Sequence, residues 1–107
     1  MKPIFKLSMS VQEPWFGFIK NGKKSIEVRL ARQKYLSLHK GDFVNINDLE
    51  VEILDVKIYP SFRELLLKEG IEKVLPGITN LKDAVGTYRR FYNEIEEKQL
   101  GVLAIFI

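Results

Sequence analysis

Lys24, Glu27 and Arg29 fall within six residues of one another, in the run G-K-K-S-I-E-V-R that begins at Gly22. A carboxylate between two cations suits the recognition of a polar or anionic group, because each charge tunes its neighbours. From Ser25 to Leu30 the residues alternate, with Ile26, Val28 and Leu30 on one side and Ser25, Glu27 and Arg29 on the other. That period of two is the signature of a half-buried strand. Asn21-Gly22 ahead of it is a turn or helix-stop signal, since glycine takes positive φ without steric cost. Two readings follow. Glu27 and Arg29 form an exposed ion pair of little consequence, or Lys24, Glu27 and Arg29 face a shared polar pocket.

The surrounding charge favours a binding surface. Between Lys20 and Lys40 stand seven basic residues (Lys20, Lys23, Lys24, Arg29, Arg32, Lys34 and Lys40) and one acid, Glu27, a local net of +6. The 107-residue chain carries only +3 in total, so the remainder is net negative. Positive charge gathered in one segment suits a polyanion partner; a solvated face is the competing reading. With no cysteine, disulfides, thiolate catalysis and Cys-ligated zinc are excluded. A single histidine, His39, excludes a His-pair metal site, and its L-H-K-G-D context is that of a surface loop. No metal and no cofactor is expected. No stretch approaches the ~20 apolar residues of a membrane span, and M-K-P-I-F-K-L lacks the apolar region of a signal peptide, so a cytoplasmic location is expected. At 46% hydrophobic content, residues 1–107 are expected to form one domain around one core.

The elements that must position the motif can be read in order. Ile4 to Leu7 reads as a first strand. Pro14 suits the first position of a helix carrying Trp15, Phe18 and Ile19, with Gly22 as its stop. Trp15, the only tryptophan, is read as core packing or as a stacking platform for a base. Beyond the basic strand, Ala31 to Lys40 reads as a loop. Phe43 to Ile46 is a strand, Asn47-Asp48 a turn, and Val51 to Tyr59 one long strand ended by Pro60. Ser61-Phe62-Arg63-Glu64 is a capping-box pattern opening a helix that stops at Gly70. Asn80 with Asp83 opens another, whose stripe of Leu81, Ala84, Val85, Tyr88 and Phe91 or Tyr92 is expected to be buried. Glu94, Glu96 and Glu97 read as an acidic end, and Val102 to Ile107 as a strand buried on both faces. Strands at both ends suggest a closed or nearly closed barrel, which would remove exposed edges.

The run from Pro14 to Leu30, P-W-F-x-x-I-x-x-G-K-K-S-I-E-V-R-L, resembles the opening signature of the ASCH-domain family, part of the PUA-like superfamily. Gly41-Asp42, Ser61 to Glu64, Leu75-Pro76-Gly77, the Y-R-x-F-Y run from Tyr88 to Tyr92 and the terminal G-V-L-A-I strand follow in the family's order. The resemblance implies an α+β fold, a small PUA-like β-barrel of about five to six strands with flanking helices. It also implies a cleft for RNA or modified nucleosides, lined by the Lys, Glu and Arg of G-x-K-x-x-E-x-R, here Lys24, Glu27 and Arg29. Some relatives are amidohydrolases acting on 4-acetylcytidine, with a Thr three residues after the lysine as nucleophile. Glu27 stands at that position here, and a carboxylate does not replace a hydroxyl nucleophile.

Three functions compete on these residues. The first is a module for single-stranded RNA or a nucleotide or nucleoside, with Trp15, Lys23, Lys24, Glu27, Arg29, Arg32 and Tyr88 as binding residues and Tyr35 as another stacking candidate. The second is a hydrolase on a modified nucleoside or RNA, with Glu27 activating water and Lys24 stabilising the oxyanion. The third is an interaction domain in which the cluster only braces the barrel.

Overall fold

Alternating apolar positions in five segments, and one continuous apolar run at the end, fold as six strands. They are β1 (Phe5–Met9), β2 (Ile26–Leu30), β3 (Phe43–Ile46), β4 (Leu49–Glu52), β5 (Asp55–Tyr59) and β6 (Val102–Phe106). The helices are α1 (Trp15–Lys20), α2 (Gln33–Leu36), α3 (Phe62–Glu69), α4 (Ile71–Val74), α5 (Leu81–Arg89) and α6 (Glu94–Leu100). The computed structural model describes residues 5–107; Ile4, where the sequence reading starts its first strand, lies outside them.

The fold is α+β, with two three-stranded sheets ordered β1-β3-β4 and β2-β6-β5. β1 runs parallel to β3, whereas β3–β4, β2–β6 and β5–β6 are antiparallel. Among the described residues no closed barrel forms, which corrects the expectation of closure. Four strands (β1, β4, β2 and β5) have a ladder partner on one side only. The stretch read as one long strand is divided at Ile53–Leu54 and serves both sheets. The Ile53 amide donates to Asp42 O and the Leu54 amide to Phe106 O, each at 2.8 Å. Ile53 is fully buried while Leu54 faces outward, so the chain turns a corner there.

β6 is buried on both faces, as its unbroken apolar sequence implies. Leu103 and Ile105 pack between the sheets with Met9, Val44, Ile46 and Ile53, whereas Val102 and Ala104 pack under the helices with Phe62, Leu65 and Leu66. One strand thus joins the two apolar clusters. The cap readings hold for α3 and α5: Ser61 accepts from the Glu64 amide at 3.1 Å and Asn80 from the Asp83 amide at 2.9 Å, each satisfying an orphan donor of a first turn.

Three local expectations are corrected. Part of the basic loop is helical, as α2. The acidic end is the start of α6, capped by Asn93, which accepts from the Glu96 amide at 2.8 Å. The aromatic helix ends at Arg89, so Phe91 and Tyr92 lie beyond it; of the two, Phe91 is 58% exposed and Tyr92 is half-buried against the core.

Candidate functional site

Gly22 adopts φ +83°, the left-handed conformation that lets α1 end and the chain reverse in a few residues. Asn21 Oδ1 accepts from the Lys23 amide at 3.0 Å within this turn. The Lys24 amide then donates to Phe18 O and the Ser25 amide to Lys73 O, each at 3.0 Å. Docked against α1 and α4 in this way, Lys24 enters the interior.

Lys24 and Glu27 are 2% and 4% exposed. β2 is therefore buried on its polar face too, and the reading of an exposed ion pair is overturned. Lys24 Nζ donates to Ile26 O at 2.7 Å and Val74 O at 2.5 Å, and sits 3.2 Å from Glu27 Oε1. An ammonium has three N–H groups, and all three have acceptors here. The second carboxylate oxygen of Glu27 lies 2.9 Å from an Arg29 nitrogen, and Arg29 also donates to Ser10 O at 2.9 Å. The order is therefore cation, carboxylate, cation, with Glu27 in the middle.

Burial pushes the Lys24 amine below its ordinary pKa, outweighing the opposing pull of Glu27. At Arg29 burial also disfavours the charge, but the Glu27 carboxylate and the nearby Tyr92 and Tyr35 prevail and hold the guanidinium above its usual value. The Tyr88 phenol is pushed well above its ordinary value by burial and then by Glu27, with Arg29 opposing.

These groups line a pocket of about 150 Å³ with Trp15, Gln12, Thr87, Phe91 and Tyr92. A cavity of about this size holds one six-membered ring. The Tyr88 hydroxyl is buried and has no hydrogen-bond partner among the described residues, an uncommon state for a native polar atom.

Of the seven residues read from the sequence, Trp15, Lys24, Glu27, Arg29 and Tyr88 come together. Lys23 and Arg32 do not. Lys23 is exposed and borders a different hollow, with Glu72 and Lys73. Arg32 is drawn away to Glu96, 2.5 Å distant. Tyr88 is placed at the pocket in a different manner from the base-stacking one: its ring lies parallel to Phe62, centroids 4.6 Å apart, and is 7% exposed. Its unpartnered hydroxyl lies near Glu27 and Arg29. Tyr35 lies outside the lining. Gln12, Thr87, Phe91 and Tyr92 were not singled out as site residues. The Y-R-x-F-Y run held the only signal for the last two, and reading it as continuous helix hid it.

Among the described residues, no three His, Cys, Asp or Glu side chains gather as metal ligands, and no helix is long and apolar enough to cross a membrane.

The chain is similar to two solved structures. The crystal structure of hypothetical protein PH0355 is 42% identical, with 94% of each chain covered and a TM-score of 0.90. The solution NMR structure of protein PF0455 from Pyrococcus furiosus is 41% identical, with 94% of this chain and 93% of that one covered and a TM-score of 0.80. No curated protein matches. The family model described as the ASCH domain matches residues 9–107, a span that holds both sheets' paired strands from Met9 onward and every residue of the pocket. The chain belongs to the ASCH domain family.

Proposed function

We propose that the pocket binds a single nucleobase, presented by a nucleotide or by single-stranded RNA. The carrying observation is the buried Glu27 carboxylate, held by Lys24 and Arg29 in an aromatic-lined pocket the size of one ring. Each Glu27 oxygen keeps a lone pair beyond its ion pair, which would accept from a ring or amino N–H of the base. Trp15 would border the base, and the Tyr88 hydroxyl would gain the partner it lacks. Arg29, partly exposed, would meet a phosphate with guanidinium donors that its two contacts leave free. On this reading the two sheets are an opened version of the PUA-like barrel, and the chain acts as one unit.

Hydrolysis is less well supported. The role of oxyanion stabiliser requires a free donor on Lys24, and its three donors are engaged by Ile26, Val74 and Glu27. Lys24 serves better as a brace that fixes Glu27.

Trp15 is the only tryptophan and borders the pocket, so its fluorescence reports occupancy. Titration with the four 5′-ribonucleotides and with short single-stranded RNA is expected to give a saturable change, weakened by salt and reduced by Arg29→Ala. An absence of any change at low salt with all of these ligands would rule out base binding here.

A further inference from the structure

The pocket accounts for one ring, and an aromatic residue is left over at its mouth. Phe91 borders the cavity yet is 58% exposed. A lone exposed Phe is ordinary; this one differs in its position and surroundings. Its neighbour Tyr92 meets it at a tilt of 58° with centroids 6.5 Å apart, so the pair is not stacked face to face. Tyr92 instead stacks on Phe62, at 5.5 Å and 25°, which ties it to the core. Arg90, exposed and in no ion pair among the described residues, directly precedes Phe91. An exposed aromatic ring at the rim of a one-ring pocket, with a cation next to it in sequence, suits two successive bases and the phosphate that joins them.

We propose that the partner is a single strand of at least two nucleotides, with one base in the pocket and its neighbour stacked on Phe91. This rests on the base-binding reading and decides between its two sources: a free nucleotide would fill the pocket and leave Phe91 bare, whereas a strand uses both.

The test compares 5′-ribonucleotides with the dinucleotides ApA, CpC, GpG and UpU, read by Trp15 fluorescence in wild type, Phe91→Ala and Phe91→Tyr. Urea unfolding would confirm that each variant is folded. The base that binds best as a mononucleotide is expected to bind about 5- to 150-fold tighter as its dinucleotide, the range of one base–aromatic stack. Phe91→Ala is expected to bring that ratio close to unity and Phe91→Tyr to preserve it. Mononucleotide binding with no dinucleotide gain, or a gain that survives Phe91→Ala, overturns the strand and leaves base binding standing. Failure of every nucleotide and dinucleotide to bind overturns both.

Discussion

Glu27→Gln and Lys24→Met remove opposite charges from one buried cluster, and the structure makes their costs unequal. Lys24 and Glu27 are 2% and 4% exposed. Replacing Glu27 by Gln leaves the Lys24 ammonium and the Arg29 guanidinium facing a neutral amide. Stranding a buried charge in this way costs about 3–5 kcal/mol. Replacing Lys24 by Met leaves the Glu27–Arg29 pair intact at 2.9 Å. It forfeits two charge-assisted hydrogen bonds, to Ile26 O and Val74 O, worth about 1.5–3 kcal/mol each, but this is offset by ending the desolvation of the amine, the largest influence on Lys24, so its net cost is expected to be smaller. With urea slopes of about 1–3 kcal/mol per molar, Glu27→Gln should lower the unfolding midpoint by about 1–5 M, and Lys24→Met by clearly less. The double variant should be more stable than the sum of the single costs predicts, by about 0.5–3 kcal/mol, because removing Lys24 removes one of the two charges that Glu27→Gln strands. The pH dependence has a definite sign. With its folded pKa below the unfolded value of about 10.4, Lys24 binds its proton more readily in the unfolded chain. Its contribution is fully favourable only above that unfolded value and is lost as pH falls through the folded one. Relative to Lys24→Met, wild type should therefore gain stability as pH rises from neutrality towards about 10. Lys24→Met costing as much as Glu27→Gln, together with strictly additive costs, would refute this account of the cluster.

Two other perturbations probe its surroundings. Tyr88→Phe removes a buried hydroxyl that has no partner, so it should hold or raise stability, by up to about 1–3 kcal/mol, while weakening nucleotide binding. Because the folded Tyr88 pKa is raised, its contribution is complete below the unfolded value of about 10 and is lost as pH rises through the folded one. Urea midpoints should consequently fall less steeply above about pH 10 in Tyr88→Phe than in wild type. Glu97, 5% exposed, accepts from the Phe62 amide at 2.7 Å and from Arg89 at 2.8 Å, tying α6 to the start of α3. Glu97→Gln should cost about 1.5–3 kcal/mol, against a change within about 0.5 kcal/mol for the exposed Glu94→Gln, as measured by urea unfolding.

What could be read from the sequence was what local chemistry decides. β2 is set by its alternation of apolar and polar residues, β6 by its run of apolar residues, and the caps at Ser61 and Asn80 by side chains that bond within three residues. Charge was harder to read, because its meaning depends on where the backbone turns. Three glutamates in four positions read as one acidic end, but Asn93 starts a helix there and rotates Glu97 inward while Glu94 stays outside. The seven cations from Lys20 to Lys40 looked like one surface. Lys24 is instead buried, Arg29 is shared between Glu27 and Ser10, and Arg32 is held by Glu96, 64 residues away. Contacts over such separations have no local signature.

The separation of the two sheets and the pocket have one cause. Glu27 and Arg29 lie opposite Ile105 and Leu103 in the β2–β6 ladder, on the face of that sheet whose Leu103 and Ile105 pack between the two sheets. β2 is an edge strand, and so is β1 in the other sheet. Val11 and Gln12, just past the end of β1, line the pocket from one side as Glu27 and Arg29 do from β2. Arg29 reaches across to Ser10 O with its side chain, and among the described residues no backbone ladder joins β1 to β2. Continuous pairing of β1 with β2 would bring strands to about 4.7–4.9 Å, leaving no space for a ring. A carboxylate held by two cations on an edge strand requires a gap of this kind to be reached by a ligand at all. On the proposed base-binding reading the gap between β1 and β2 is part of the site, and substitutions that tighten this edge are expected to reduce nucleotide binding even where they stabilise the fold.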